Sequence, residues 1–240
     1  MNWLYGISMA ISMFTFIPWP FNLWSEKARG HCLACFPVVG IITGAVWAGT
    51  AYIVSPLPSA IAAVILAAMP WFITGGIHID GYMDVCDAIG SRREKSRAVE
   101  ILKDPHCGSF AVLGMVLLAM AQWSVFYSME NINYLLLGGI PVSVRACASI
   151  LVLTLPAIEK SQYTSVEKSR IFLIFPGLVL IISIVLPVIL FNSFVCLLTA
   201  FVYTVSAVYC SRVLGGMNGD ISGFSLVIAE LFGALYLCVL

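Results

Sequence analysis

The stretch GGIHIDGYMDVCDAIGSRREKSRAVEILKDPHCGSF, residues 75–110, interrupts a chain that is otherwise almost uncharged. Its three carboxylates, Asp80, Asp84 and Asp87, are spaced i, i+4, i+7, which places them on one face of a helix. At about 6 Å and an effective dielectric of about 20, each neighbouring pair repels by roughly 2–3 kcal/mol. Protonation would offset this repulsion, and a bound Mg²⁺ or Mn²⁺ ion would do so better. We therefore expect a helical acidic face that serves as a metal or proton site.

The composition of the whole chain indicates an integral membrane protein. Its 240 residues are 61% hydrophobic and only 10% charged, whereas soluble domains contain roughly 25% charged residues. The formal net charge is zero, so bulk electrostatics give no reason to expect nucleic acid as a partner. No polar segment is long enough for a second domain. We predict one membrane-embedded domain, residues 1–240, with an all-α fold: a polytopic bundle of about 6–8 transmembrane helices.

Eight apolar segments are candidates for spanning helices. The first has no basic leader or small-residue cleavage site, so we interpret it as a retained membrane segment. The fourth, seventh and last are, like the first, short for a span of about 20 residues, so one or two of these could be re-entrant or merely buried. The segments cover roughly residues 3–18, 33–54, 59–77, 111–127, 134–155, 171–190, 194–210 and 224–240.

The distribution of basic residues predicts the orientation. If all eight segments cross, the loops 19–32, 78–110, 156–170 and 211–223 lie on one side, and the other loops contain Glu130 as their only charge. The positive-inside rule places the basic loops in the cytoplasm, at the cytoplasmic (inner) membrane, with both termini outside. These loops contain every basic residue except Arg145: Lys27, Arg29, Arg92, Arg93, Lys95, Arg97, Lys103, Lys160, Lys168, Arg170 and Arg212.

Downstream of the acidic face, the sequence predicts a short helix on the membrane surface. Ser91 and Glu94 have the spacing of a capping box, so we expect a helix from there to about Asp104, before Pro105. Ala98, Ile101 and Leu102 would form its apolar face. The neighbouring cations, Arg92, Arg93, Lys95 and Arg97, would form a basic edge suited to a phosphorylated ligand.

Three more charged residues are unusual in their surroundings. Asp220 lies among glycines in GGMNGDISGF, residues 215–224, on the same predicted side as the acidic face. Arg145 and Glu230 lie inside apolar segments, where a charge costs about 2.5–3.5 kcal/mol on insertion scales. Arg145 is interpreted either as a functional residue or as a structural ion pair with Glu230.

These patterns together resemble the adenosylcobinamide-GDP ribazoletransferase family, also called cobalamin(-5′-phosphate) synthase. The block H-x-D-G-x-x-D-x-x-D starts at His78, and Ile101 to Phe110 resembles the block I-(M/L)-K-D-x-x-x-G-(A/S)-F. Phe36 to Gly40 resembles F-P-x-x-G, Ser143 to Arg145 resembles an S-R block with one extra residue, and Gly215 to Asp220 resembles G-G-x-x-G-D. Phe16 stands where this family usually has an arginine.

The resemblance implies a reaction. Adenosylcobinamide-GDP and α-ribazole, or its 5′-phosphate, would give adenosylcobalamin, or its 5′-phosphate, and GMP, with Mg²⁺ as cofactor. We expect Asp80, Asp84 and Asp87 to hold the metal, and one of them or Asp104 to accept the proton of the ribazole hydroxyl. The expected substrate contacts are His78, Arg92, Arg93, Lys103, Arg145 and Asp220. The sequence leaves open whether the chain forms an oligomer or acts beside other corrinoid-assembly enzymes in the lipid bilayer.

Three alternative functions remain open at this stage. A CDP-alcohol phosphotransferase also uses an aspartate cluster, but its D-x-x-D-G-x-x-A-R pattern differs from this one. An ion- or proton-coupled transporter would use Asp80, Asp84 and Arg145 as a path across the membrane. A scaffold without activity would explain Phe16.

Overall fold

The computed structural model describes residues 2–21, 23–158 and 169–239. In this part of the chain all secondary-structure elements are helices, apart from one isolated bridge between Ala157 and Met217. The helices are α1 (Asn2–Phe14), α2 (Arg29–Ala34), α3 (Phe36–Val54), α4 (Ser59–Ile73), α5 (Ile77–Gly90), α6 (Lys95–Ile101), α7 (Ser109–Ser128), α8 (Tyr134–Thr154), α9 (Ile174–Phe191), α10 (Val195–Leu214) and α11 (Gly219–Val239).

Six of these helices are long and apolar enough to cross a membrane: α3, α7, α8, α9 with the turn before it, α10 and α11. Helices α4 and α5 pass the same test together, although a bend of 94° separates them, and count as a seventh crossing if they form one span. The prediction of an all-α, multi-pass membrane bundle with about 6–8 spans is therefore confirmed. Lys160 and Lys168, which contributed to the charge pattern, lie outside the described residues.

The long helices alternate in direction, so one end of the bundle collects the charged connections. Tyr52 at the end of α3 meets Tyr134 at the start of α8, with ring centroids 5.9 Å apart. At the opposite end, Phe36 at the start of α3 contacts His78 on α5. We call this second end the acidic end, because it contains Asp80, Asp84, Asp87 and Asp220.

Helix α1 is not a span, and the first predicted membrane segment is wrong. Trp3 near its start contacts Phe175 on the second residue of α9, and Phe14 at its end contacts Phe36 on the first residue of α3. Both contacts lie at the acidic end, and a helix of this length extends only about 20 Å. Helix α1 therefore lies across the acidic end. The expectation that the amino-terminal segment starts on the other side is corrected accordingly.

Small residues let the central helices approach closely. A Cβ atom on Gly44 of α3 would overlap the backbone carbonyl of Gly138 on α8, and one on Gly40 would lie 2.7 Å from the carbonyl oxygen of Pro141. Glycine at such positions is a common means of helix association in membranes, where lipid tails leave little hydrophobic driving force between helices. Helices α10 and α11 pack against α8 of this tight pair, and α4 packs against α3.

The predicted loop 78–110 is mostly helical. Gly75 and Gly76, with φ of 61° and 80°, turn the chain sharply between α4 and α5 in a left-handed conformation that side chains other than glycine rarely adopt. The predicted capping box does not form: α6 begins after Glu94 without a side-chain cap, and Ser91 Oγ instead donates to the carbonyl of Ala88. The chain turns at Arg92 (φ 51°), which leaves room for only two turns of helix before Leu102.

Candidate active site

Helix α5 has two different faces. His78, Gly81, Tyr82, Val85 and Ala88 are buried, mainly against α11. The other face contains Asp80, Asp84 and Asp87, of which Asp80 is exposed and the other two are half-buried. The predicted acidic face is therefore real, and the helical spacing that suggested it is confirmed. Burial of one face against α11 fixes the direction in which the three carboxylates point.

Asp220 joins this face from a distant part of the sequence. It lies in the first turn of α11, and its Cα is 2.7 Å from the position that a Cβ on Gly81 would occupy. Only a glycine at position 81 lets α11 approach α5 this closely. Asp80, Asp87 and Asp220 all interact electrostatically with Asp84. The structure thus brings four carboxylates together, as the sequence suggested for the first three and allowed for Asp220.

Asn218 is a site residue that the sequence analysis missed. Its Nδ2 donates a 2.6 Å hydrogen bond to Asp220 Oδ2, and its Oδ1 accepts a 3.0 Å bond from the backbone N–H of Ile221. The second bond satisfies one of the free N–H groups at the start of α11, as a capping side chain does. The first bond fixes the Asp220 carboxylate. An asparagine two residues before a glycine-flanked aspartate at a helix start was the available signal.

A second helix start faces the acidic residues. The carboxylate of Asp87 lies directly over Gly108, the residue that precedes α7, where a Cβ would overlap it. The partial positive charge of a helix N-terminus stabilises a nearby negative charge. Helices α7 and α11 both begin at this site, so their N-termini favour carboxylates and are equally suited to the oxygens of a phosphate group.

The acidic residues do not form a complete metal cage. Across residues 2–21, 23–158 and 169–239, no three His, Cys, Asp or Glu side chains could by themselves hold a metal ion. Mg²⁺, however, usually keeps several water ligands and binds through one or two carboxylates together with substrate phosphates. Four carboxylates with hard oxygen donors, close to two helix N-termini, fit a Mg²⁺ ion that is shared with a phosphorylated substrate.

A cavity of about 100 Å³ opens beside the acidic face. His78 and Asp80 of α5, Ser149 of α8, and Asp220 line it together with the apolar side chains of Phe14 and Phe36. His78 is buried between Phe14 and Phe36, and its Nε2 has no hydrogen-bond partner among the described residues. A buried polar nitrogen without a partner is costly, so this atom is available for a hydrogen bond to a ligand in the cavity.

Arg145 takes the structural role that the sequence analysis held as an alternative. Its side chain is completely buried and donates from Nη1 to Glu230 Oε1 at 2.7 Å, which ties α8 to α11. It does not line the cavity, but its guanidinium carbon lies 5.8 Å from the centroid of the Phe36 ring and its charge acts on His78. Its Nε and Nη2 have no hydrogen-bond partner among the described residues. Arg145 therefore forms the predicted ion pair with Glu230, and its contact with substrate stays a prediction.

Asp104, the other predicted proton acceptor, forms local hydrogen bonds with His106. It is exposed and accepts hydrogen bonds from the backbone N–H of His106 at 3.0 Å and from its ring at 2.7 Å. These bonds, the backbone one above all, lower the pKa of the Asp104 carboxyl. A carboxylate that already has such partners is a weaker base, and Asp104 is not among the acids that act on Asp84.

The predicted basic contacts are available to a ligand. Arg92, Arg93 and Lys103 are exposed, and none forms an ion pair with an acid in the part of the chain that the structure describes. Lys95, which the sequence analysis placed in the basic edge, is exposed as well. Its side chain crosses Gly215, where a Cβ would overlap the Lys95 ammonium, so it reaches the loop that leads to Asp220.

Comparisons with known proteins agree with this arrangement. The profile of the family described as cobalamin-5-phosphate synthase matches residues 6–239. The chain is 32% identical to an adenosylcobinamide-GDP ribazoletransferase of Clostridium botulinum, over 99% of this chain and 98% of that protein. It is 30% identical to proteins of the same name from Clostridium perfringens, over 98% of both chains, and from Acinetobacter baumannii, over 86% of this chain and 85% of that one.

No solved structure matches the chain. The profile match extends from α1 to the end of α11, so it includes the acidic face, the loop before Asp220 and the Arg145–Glu230 pair in a single alignment. The chain belongs to the cobalamin-5-phosphate synthase family.

Proposed function

We propose that this membrane transferase joins adenosylcobinamide-GDP to α-ribazole, or to α-ribazole 5′-phosphate, and releases GMP. The product would be adenosylcobalamin or its 5′-phosphate. The observation that carries the proposal is the packing of Asp220 on Gly81, which combines two separate family motifs into one acidic site. Such a site suits a substrate with a pyrophosphate, because displacement at phosphorus depends mainly on positioning and on neutralising negative charge.

Asp80, Asp84 and Asp87 would hold Mg²⁺ only together with the substrate phosphates, with one or two of them as direct ligands and the others, like Asp220, acting through water. When bound, the ion would neutralise the pyrophosphate and stabilise the leaving oxygen. The N-termini of α7 and α11 direct backbone N–H groups towards the same place. Asn218 holds the Asp220 carboxylate in position for this role.

The remaining side chains would orient the two substrates. His78 offers a free Nε2 inside the cavity and can hydrogen-bond a hydroxyl group of the ribazole sugar. Arg92, Arg93, Lys95 and Lys103 are exposed on the stretch that follows the acidic helix, and they would contact terminal phosphate oxygens. The attacking hydroxyl would pass its proton to one of the site carboxylates and form a bond to the phosphorus attached to cobinamide. The bond from that phosphorus to the bridging oxygen would break, and GMP would leave with that oxygen.

We place the acidic end in the cytoplasm of a cell with a cytoplasmic (inner) membrane. Among the described residues, Glu130 is the only charged residue in the connections at the other end, whereas the acidic end contains the basic residues Lys27, Arg29, Arg92, Arg93, Lys95, Arg97, Lys103, Arg170 and Arg212. This asymmetry agrees with the positive-inside rule. A nucleotide-linked substrate made in the cytoplasm would then reach the site without crossing the bilayer.

The other functions considered from the sequence are not favoured. The family match argues against a CDP-alcohol phosphotransferase. The ion pair of Arg145 with Glu230 removes the cation on which a transport path across the bundle depended. No described residue gives specific support to an additional corrinoid enzyme as a partner, and that expectation stays a prediction.

The proposal is tested with purified protein in lipid vesicles supplied with adenosylcobinamide-GDP, α-ribazole and Mg²⁺. We expect stoichiometric formation of GMP and a corrinoid with a completed nucleotide loop. EDTA should stop the reaction, and excess Mg²⁺ should restore it. A parallel reaction with α-ribazole 5′-phosphate identifies the preferred acceptor. Absence of GMP with both acceptors, from protein whose helical content is intact, would contradict the proposal.

A further inference from the structure

The first part of the chain is uncharged although it lies at the charged end of the bundle. The first Asp, Glu, Lys or Arg is Glu26. The apolar side chains of Leu4, Phe16, Phe21 and Trp24 are nevertheless exposed by 66%, 80%, 59% and 50%, respectively. Large apolar side chains grouped on a surface usually mark a contact with a partner or a membrane.

Helix α1 and the segment after it form one unit. Ser8 Oγ donates a 2.5 Å hydrogen bond to the carbonyl of Phe21 and accepts a 3.1 Å bond from Trp19 Nε1. The segment, described at residues 15–21 and 23–25, therefore folds back on α1 instead of continuing its direction. The N–H of Phe16 also donates to the carbonyl of Ile73, the last residue of α4, at 2.8 Å. The unit is thus fixed to the level at which the spanning helices end.

The exposed face of this unit continues a lipid-facing surface. Trp3 of α1 contacts Phe175 at the start of α9, with centroids 6.4 Å apart. Helix α9, with the turn before it, has a mean hydropathy of 2.9, and only 11% of its apolar window is buried inside the protein. Lipid must therefore surround most of α9. The same lipid leaflet borders Trp3 and Leu4 at the neighbouring end of α1.

We propose that α1 and residues 15–25 lie in the headgroup region of the leaflet at the acidic end, with the helix axis along the membrane plane. The exposed large side chains of this unit are apolar, and such a surface is stable at the boundary between acyl chains and headgroups. Trp19 and Trp24 suit the same region because their rings are apolar and their N–H groups can remain hydrogen-bonded. The partner of this surface is the phospholipid bilayer itself.

This placement also locates the acidic site relative to the bilayer. Phe14, the last residue of α1, lines the cavity and stacks on His78 with centroids 6.2 Å apart. The interfacial unit is thus one wall of the cavity, which opens at headgroup level. This inference rests on the position of α1 and is independent of the proposed reaction, so its failure would leave that reaction untouched.

The side of the membrane on which α1 begins is measured first. Cysteine replaces Asn2, Lys27 or Ser55, one position at a time, in a Cys107→Ser background, which removes the cysteine that is exposed in the described residues. Labelling is counted above that of the Cys107→Ser background. Proteoliposomes are chosen in which an impermeant maleimide labels Lys27→Cys and Ser55→Cys to different extents. We expect Asn2→Cys to follow Lys27→Cys. Labelling that follows Ser55→Cys would mean that α1 crosses the bilayer and would overturn the proposal.

The depth of the exposed residues is measured next. Nitroxide labels on Leu4→Cys and Phe21→Cys are compared with Lys27→Cys in water and Ile182→Cys on the exposed face of α9, using collisions with oxygen and with a soluble nickel complex. We expect both test positions to lie between the two references. A depth equal to that of Lys27→Cys would mean a solvent-exposed unit, and one equal to Ile182→Cys a buried span. Either result would refute an interfacial position.

Discussion

The Cα of Asp220 lies 2.7 Å from the point that a Cβ on Gly81 would occupy, so the start of α11 rests directly on the middle of the acidic helix. This contact unites two parts of the chain that are far apart in sequence. It also makes the geometry of the site depend on the absence of a side chain at position 81, because backbone atoms on the opposite side cannot rotate away.

The substitution Gly81→Ala should therefore impair activity strongly, although it adds only one methyl group. Alanine gains up to about 1 kcal/mol of helix propensity, but overpacking against a backbone costs about 1–3 kcal/mol and moves Asp220 away from α5. We expect GMP release to fall at least about 10²-fold, in line with the cost of a misplacement of about 1 Å. Gly49→Ala on α3, where a Cβ would meet nothing within 4 Å, is the control and should leave turnover unchanged.

Asp80→Asn and Asp84→Asn should each abolish metal-dependent turnover. Removal of a group that stabilises charge in the transition state costs about 10²–10³-fold in rate. The double variant Asp80→Asn/Asp84→Asn, which loses two carboxylates, should lose more activity than either single variant. GMP release is measured as a function of Mg²⁺ concentration, together with membrane insertion. Glu100→Gln, which removes an exposed acid paired with Arg97, should behave as wild type. Near-normal turnover of Asp84→Asn would exclude the proposed metal site.

The capping role of Asn218 at α11 and its role in positioning Asp220 should be separable by mutation. Serine at this position can still cap α11 but cannot donate to Asp220, so Asn218→Ser should retain stability and lose about tenfold in kcat. Asn218→Ala loses both bonds and should also lose about 1 kcal/mol of stability. Thermal unfolding and the Mg²⁺ dependence of turnover distinguish the two roles. Equal kcat for Asn218→Ser and wild type would show that the bond to Asp220 is dispensable.

The Arg145–Glu230 pair should act on stability and not on substrate binding. Arg145→Met alone leaves a buried carboxylate without its partner, which typically costs about 3–5 kcal/mol. The double variant Arg145→Met/Glu230→Leu removes both charges and should recover most of the stability, because well-packed apolar residues can replace a buried ion pair. We expect this double variant to turn over within a few-fold of wild type. A stable but inactive double variant would return Arg145 to the substrate-binding site.

The sequence by itself determined the class of the protein and predicted the acidic face of its candidate site. An apolar content of 61% requires a membrane environment, and the i, i+4, i+7 spacing of Asp80, Asp84 and Asp87 requires a shared face once the segment is helical. Both conclusions follow from composition and local geometry, which do not depend on how distant segments meet. The basic residues other than Arg145 likewise indicated one end of the bundle, because each lies in a predicted connection between apolar segments.

Only the tertiary structure decided which distant residues meet. Apolarity made residues 3–18 look like a span, but contacts of Trp3 and Phe14 at one end of the bundle place α1 across that end. Arg145 pairs with Glu230 because the two side chains meet at 2.7 Å, and Asn218 joins the candidate site through its bond to Asp220. Hydropathy records how apolar a segment is, but not how the segment is oriented relative to the bundle. Ion pairs between helices depend on close packing, which glycines such as Gly44 and Gly81 permit.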